Sequence, residues 1–195
     1  MPSRRSFTRA ELQTFRDTEV PDLLPGPGQD LRLLFVGINP GLWTAATQTH
    51  FAHPGNRFYP ALLQAGVLRQ RVDPSAGMSD ADREHVRERG IGITNIVRRA
   101  TARADELTAA ELREGGERLR ETVRTAAPAV VAVAGITAYR KAFGARGAAV
   151  GEQPEAFEGA GLWVVPNPSG LNAHETIDSL ARAYAGPARA AGVIG

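Results

Sequence analysis

The feature that most constrains how this chain folds is one stretch, Leu31-Arg-Leu-Leu-Phe-Val-Gly-Ile-Asn-Pro-Gly-Leu42. Its apolar run, residues 33–36, shows no polar alternation, which is the pattern of a short strand buried on both faces. The run stops at Gly37. Pro40 cannot donate a ladder hydrogen bond, and Gly41 tolerates positive φ. The strand therefore delivers Asn39 to its carboxyl end on a tight turn. Ligands bind at that end in open α/β sheets, although asparagine is also common in ordinary turns.

The rest of the chain repeats the theme. Residues 92–97, 129–134 and 162–165 are further short apolar runs, with helical stretches between them. Thr8-x-x-Glu11, Ser79-x-x-Asp82 and Thr108-x-x-Glu111 mark helix starts, because a hydroxyl there accepts from the backbone N–H three residues on. The helix after Thr108 runs to about residue 125, with Leu112, Leu119 and Val123 inward. A helix over 56–65 turns Phe58, Leu62 and Leu63 inward, and one over 175–185 does so with Ile177, Leu180 and Tyr184. Residues 136–143 form another helix. The small, polar stretch 42–50 reads as a loop, and the glycine-rich stretch 144–161 as a short hairpin or irregular edge. Strands alternating with helices predict an α/β fold: a three-layer α/β/α sandwich around a central, mainly parallel, four- to five-stranded sheet. Residues 1–30 read as a peripheral N-terminal arm with a short helix, 31–185 as a single domain, and 186–195 as a fraying C-terminal tail.

Composition removes several classes. There is no cysteine, so disulfides, thiolate nucleophiles and cysteine-ligated metals are excluded. Of four histidines only His50 and His53 lie close together, with no carboxylate nearby; no metal and no cofactor are expected. No run of about 18 apolar residues occurs, which predicts no membrane span. Behind Ser3-Arg-Arg-Ser6 there is no apolar core of a signal peptide, so a cytoplasmic protein is expected. Net charge is +2, unevenly spread: residues 1–143 hold 20 basic and 16 acidic residues, a bias towards anionic partners. Arg98, Arg99 and Arg103 follow the second apolar run and either border a crevice or lie in a solvated loop. Arg4, Arg5 and Arg9 belong to a terminal arm.

A second stretch, Leu162-Trp-Val-Val-Pro-Asn-Pro-Ser-Gly-Leu-Asn172, repeats the plan of the first: an apolar strand running into an Asn-Pro turn. Together the two resemble the active-site motifs of the mismatch-specific uracil and thymine DNA glycosylases, within the uracil-DNA glycosylase superfamily. The bacterial branch is the nearer likeness, with Gly-Ile-Asn-Pro-Gly first and Asn-Pro-Ser-Gly-Leu last. Phe51-Ala-His-Pro-Gly-Asn-Arg-Phe58 resembles the family's base-pocket segment. Gly90-Ile-Gly-Ile-Thr-Asn-Ile-Val97 and Arg113-Glu-Gly-Gly116 also look like family segments. The five occur in family order over roughly residues 31–185.

The resemblance implies a monofunctional glycosylase of base excision repair. It would flip uracil, or a lesion such as thymine or ethenocytosine, out of mismatched double-stranded DNA and hydrolyse its glycosidic bond as a monomer. It implies that Asn39 positions the attacking water, and a carboxamide can only orient that water, not deprotonate it. Phe51 matches the aromatic that stacks on the flipped base, and main-chain groups around Ile38 and Phe51 its edge contacts. Asn167 stands where the fastest relatives hold the leaving oxygen with histidine. Ser169 and Gly170 match phosphate contacts, and Leu171 the apolar wedge that fills the vacated stack. Asn172 and Ala173 replace the common Ser-Arg, so strict dependence on a guanine partner is not implied. Arg98 stands where near relatives often carry an acid. The single lysine, Lys141, falls in a helix after another strand, so a Schiff-base lyase step is not expected. The alternative is a DNA-lesion binding protein of the same fold without turnover. A nucleotide-binding enzyme is disfavoured, since Gly37-x-x-x-Gly41 lacks the third glycine of the dinucleotide fingerprint.

Overall fold

Each of the four apolar runs becomes a strand of one sheet in the computed structural model, which describes residues 6–195. In chain order the strands are β1 (Leu33–Gly37), β2 (Ile91–Asn95), β3 (Val130–Ala134), β4 (Gly151–Glu152) and β5 (Gly161–Val165). Their spatial order is β2-β1-β3-β5-β4. All neighbours are parallel except the short edge strand β4, which runs antiparallel to β5. All residues of β1 are buried, as its composition requires. Leu33 and Phe35 join the core on one face and Leu34 and Val36 the core on the other, so the run feeds two hydrophobic layers by strand alternation.

Helices cover both faces, giving the α/β/α arrangement. The elements that precede β2 are α1 (Arg9–Gln13), α2 (Leu42–Thr47), α3 (Phe58–Gln64) and α4 (Asp80–Glu88). Then come α5 (Ala109–Ala126), α6 (Ile136–Phe143) and α7 (Ile177–Ala190). One face carries α3, α4 and α7 around Phe35, Phe58, Leu62 and Tyr184. The other carries α5 and α6 around Leu119, Val123 and Tyr139. The predicted caps form: Thr8, Ser79 and Thr108 each accept from the backbone N–H three residues ahead.

Four expectations need correction. The stretch 42–50 is not a loop: its first six residues form α2, capped at its C-terminal end by Gln48 in the left-handed region. Its Thr-Ala-Ala-Thr core is a poor helix signal, but small side chains let α2 bury against Val20 and Ala100. Leu63 and Ile177 face outward, each 37% exposed, because the inward stripes run through Leu62 and Leu180. The C-terminal residues do not fray: α7 continues to Ala190, and Ala188 and Val193 are buried. Gly186 lies within α7 where the helix crosses Trp163, whose ring a Cβ would meet at 2.5 Å. The N-terminal arm is not peripheral throughout. Leu23 exchanges two backbone hydrogen bonds with Ile93, of 2.9 and 2.7 Å, and so covers the outer edge of β2. Arg4 and Arg5 lie outside the described residues. No helix among the described residues is long and apolar enough to cross a membrane.

Candidate active site

The carboxyl ends of β1, β2 and β5 share one edge of the sheet, and the ladder between the first two continues into their turns. Ile96 N–H donates to Gly37 O, Val97 N–H to Ile38 O and Thr101 N–H to Pro40 O, at 2.9, 2.9 and 3.1 Å. The turn that carries Asn39 is thereby held by the segment that follows β2. Ile38 has its carbonyl on Val97, which leaves its N–H as the group to offer a ligand.

Asn39 is half-buried, and its amide nitrogen faces three acceptors: Thr101 Oγ1 at 2.7 Å, Arg99 O at 3.0 Å and Pro40 O at 3.2 Å. Thr101 donates its own proton to Arg103 O, at 2.7 Å, so towards Asn39 it is an acceptor. Nδ2 is thus fixed against protein and Oδ1 is the free end. A free carbonyl oxygen accepts from water and orients the water's lone pair away from itself.

Phe51 has φ of +54°, the left-handed region that a bulky side chain rarely occupies. That backbone places its ring parallel on Phe58, with centroids 4.1 Å apart. One ring face rests on the core. Beside it lies Gly37: a Cβ there would come within 3.2 Å of Phe51 Cζ and 2.4 Å of Asn95 Oδ1. Residue 37 must lack a side chain for Phe51 and the Asn95 amide to close on this turn.

The orientation of the Asn95 amide follows from its neighbour. His50 is buried, and burial holds its imidazole pKa below the ordinary value, so the ring is neutral. Its Nε2 faces the Pro21 carbonyl at 3.0 Å, an acceptor only, and so carries the proton. Nδ1 must then accept, and the Asn95 atom 3.1 Å from it is Nδ2–H. Asn95 therefore turns its carbonyl oxygen to Gly37. Tyr59 secures the other side of His50 by donating to its carbonyl at 3.0 Å.

At the end of β5, Asn167 Oδ1 accepts from Ser169 N–H at 3.0 Å, which leaves Nδ2 as the outward donor. Tyr184 on α7 holds the preceding Pro166 carbonyl at 3.0 Å. Ser169 Oγ accepts from Leu171 N–H at 3.3 Å, and Asn172 Nδ2 donates to Asn167 O at 3.1 Å. The polar side chains of this turn thus fasten the turn itself, and Asn172 is left with Oδ1 to offer. Gly170 packs on the 53–57 loop, where a Cβ would be 2.6 Å from Gly55 O. Leu171 is 90% exposed, unsupported by any packing. The three arginines after β2 are all engaged: Arg98 with Asp22 at 2.7 Å, Arg99 with Asp17 and Glu111 at 2.6 and 2.8 Å, and Arg103 with Asp105 at 2.6 Å.

Asn95, His50 and Thr101 were not singled out from the sequence. Asn95 had a signal, because like Asn39 it ends a buried strand. His50 and Thr101 had none, since their partners are distant in the chain. A cleft of about 480 Å³ lies beyond the 52–56 loop, between Tyr59, Leu63, Arg71 and Ile177. Its walls hold none of Asn39, Phe51, Asn95 or Asn167.

Residues 25–185 match the family model of the Uracil DNA glycosylase superfamily. In fold the chain is similar to a solution NMR structure from Methanosarcina acetivorans described as a candidate uracil DNA glycosylase, at 16% identity and a TM-score of 0.59. That match covers 91% of this chain and 98% of the other. The chain belongs to the uracil DNA glycosylase superfamily, whose enzymes hydrolyse the N-glycosidic bond of a base in DNA.

Proposed function

We propose that this glycosylase acts, as a monomer without a cofactor, on uracil flipped from mismatched duplex DNA. The observation that carries this reading is the fixed polarity of the amides that follow β2 and β5 at the carboxyl edge of the sheet. Asn95 presents an acceptor and Asn167 a donor. Uracil offers the complement, an N3–H donor flanked by two carbonyl oxygens. Cytosine has an acceptor at N3, and its lone pair would face the Asn95 oxygen. A base cannot reach these groups from within the stack, so it must first leave the duplex. Phe51 then stacks on it, a contact worth about 1–3 kcal/mol but tolerant of base identity. Selectivity falls to the amides and to the Ile38 N–H.

In the chemical step the N1–C1′ bond breaks and its electron pair goes to the base. Asn167 Nδ2 donates to the uracil oxygen on which that charge collects. Water held by Asn39 Oδ1 bonds to C1′ and releases its proton to solvent. The uracil anion takes a proton from solvent, and the products are uracil and an abasic deoxyribose. Asn39 is not a base, and general-base catalysis typically contributes about 10²–10⁴-fold, so turnover is slow. Ser169, Gly170 and Asn172 line the turn that meets the DNA backbone, and Leu171 occupies the gap left by the base.

The test is a single-turnover screen of duplexes carrying uracil, thymine, ethenocytosine or hypoxanthine opposite each base. Uracil is released fastest. Release of ethenocytosine, which has no N3–H to offer, in preference to uracil would contradict the amide assignment.

A further inference from the structure

The base-stacking segment and the wedge turn are far apart in the chain, yet one side chain joins them. Arg57 closes the segment that begins with Phe51 and stands at the N-cap of α3, where its side chain makes no cap hydrogen bond. It runs instead to the 168–175 turn. Nη2 donates to Ser169 O at 2.5 Å and to Asn172 O at 2.7 Å, and Nη1 donates to Glu175 O. The Arg57 main-chain N–H adds a bond to Pro168 O at 3.0 Å. Ser169 and Asn172 are the two ends of the tight turn that Leu171 crowns, closed by Asn172 N–H on Ser169 O at 2.9 Å. The guanidinium thus grips the turn at both ends and once beyond it.

We infer that Arg57 is the positioning residue that presents Leu171 to the duplex, rigidly coupled to the ring on which the flipped base stacks. Four observations carry this. The partners are carbonyls rather than a carboxylate, so the contact orders backbone and does not neutralise charge. The guanidinium fork reaches carbonyls at three positions at once, which a single ammonium cannot do. The Leu171 side chain is exposed and has no packing of its own. Phe58, the next residue, is the platform beneath Phe51. A wedge on a loose turn would lose its orientation before entering the stack; tied to Arg57, wedge and base platform move as one piece. The cation also lies directly beneath the turn that meets phosphate, and its charge remains available there.

This inference rests on the reading that Leu171 enters the duplex, and the experiment separates the two. Single-turnover uracil release is measured on a U·A duplex and on single-stranded uracil DNA. The proteins are the wild type, Arg57→Gln, Arg57→Lys, Leu171→Ala and the Arg57→Gln/Leu171→Ala double variant, each with a thermal melt. Arg57→Gln slows duplex excision by about 10–100-fold and single-strand excision by less than about threefold, because only the duplex needs the wedge. Arg57→Lys keeps the charge and stem, melts near the wild type, and still loses at least about fivefold on the duplex. In the double variant the loss on the duplex stays within about twofold of Leu171→Ala alone, because both changes remove one function. Equal losses on the two substrates, full rescue by lysine, or losses that multiply would each overturn the role of Arg57. A Leu171→Ala variant unimpaired on the duplex would instead overturn the wedge reading beneath it.

Discussion

An asparagine side chain has a donor end and an acceptor end of the same shape, and at this site each is assigned by a neighbour that accepts only one. Asn39 is turned by Thr101 and two carbonyls, Asn95 by the neutral His50, and Asn167 by Ser169 N–H. The role proposed for Asn39 predicts that Asn39→Ala lowers single-turnover excision by at least about 100-fold, while duplex affinity changes only a few-fold, since a side chain in that role holds water rather than phosphate. His50 adds a pH dependence. Burial, reinforced by Arg83 and opposed by the Pro21 contact and Asp22, holds its pKa below the ordinary 6.5. The folded protein thus favours the neutral ring, and this contribution to stability is complete above about pH 6.5 and declines as pH falls below it. Excision declines with it, because a protonated Nδ1 repels the Asn95 N–H. His50→Gln, which can donate to Pro21 and accept from Asn95, removes that part of the acid sensitivity in melting and rate profiles. If the acid limb is unchanged in His50→Gln, the neutral-ring account fails.

At the scale of elements, what was legible followed from periodicity. The four apolar runs had to be strands because both faces are covered, and Thr8, Ser79 and Thr108 had to be caps. The helix α2 was not legible, since its residues favour helix only once Val20 and Ala100 are beside it. Nor was the length of α7, where glycine stands for a close crossing rather than for a stop. Glycines in α5 serve a similar end: a Cβ on Gly115 would be 2.3 Å from Ile96 O, where the helix rides directly on the turn after β2. Gly115→Ala should destabilise by about 1–3 kcal/mol, as overpacking does, and lower the melting midpoint by several degrees. An unchanged midpoint would mean that α5 has room to withdraw. The wedge turn makes a second prediction. Leu171→Ala slows excision most on U·A, less on U·G, whose pair opens more easily, and least on single strands. Equal loss on all three would mean that Leu171 only packs the turn.

For the whole molecule, the two Asn-Pro turns were legible because each ends a strand and the sheet brings strand ends together. The relay behind them was not: His50 meets Asn95 and Pro21 across 45 and 29 residues, and nothing local marks such contacts. Arg98, Arg99 and Arg103 are committed to carboxylates, whereas Arg57, unremarked in the sequence, reaches the 168–175 turn. Exposed ion pairs of this kind contribute little individually and chiefly fix loops. Among the described residues no three His, Asp or Glu side chains group as metal ligands, and Lys141 lies exposed on the last turn of α6. Excision should therefore persist in EDTA, and borohydride should trap no protein on DNA. The most direct test of the whole account is single-turnover uracil release from a U·G duplex, with enzyme in excess and EDTA present, by the wild type and Asn39→Ala. The account predicts free uracil and an abasic strand from the wild type and at least about a 100-fold loss in the variant. A wild-type protein that binds the duplex yet releases no uracil would contradict it.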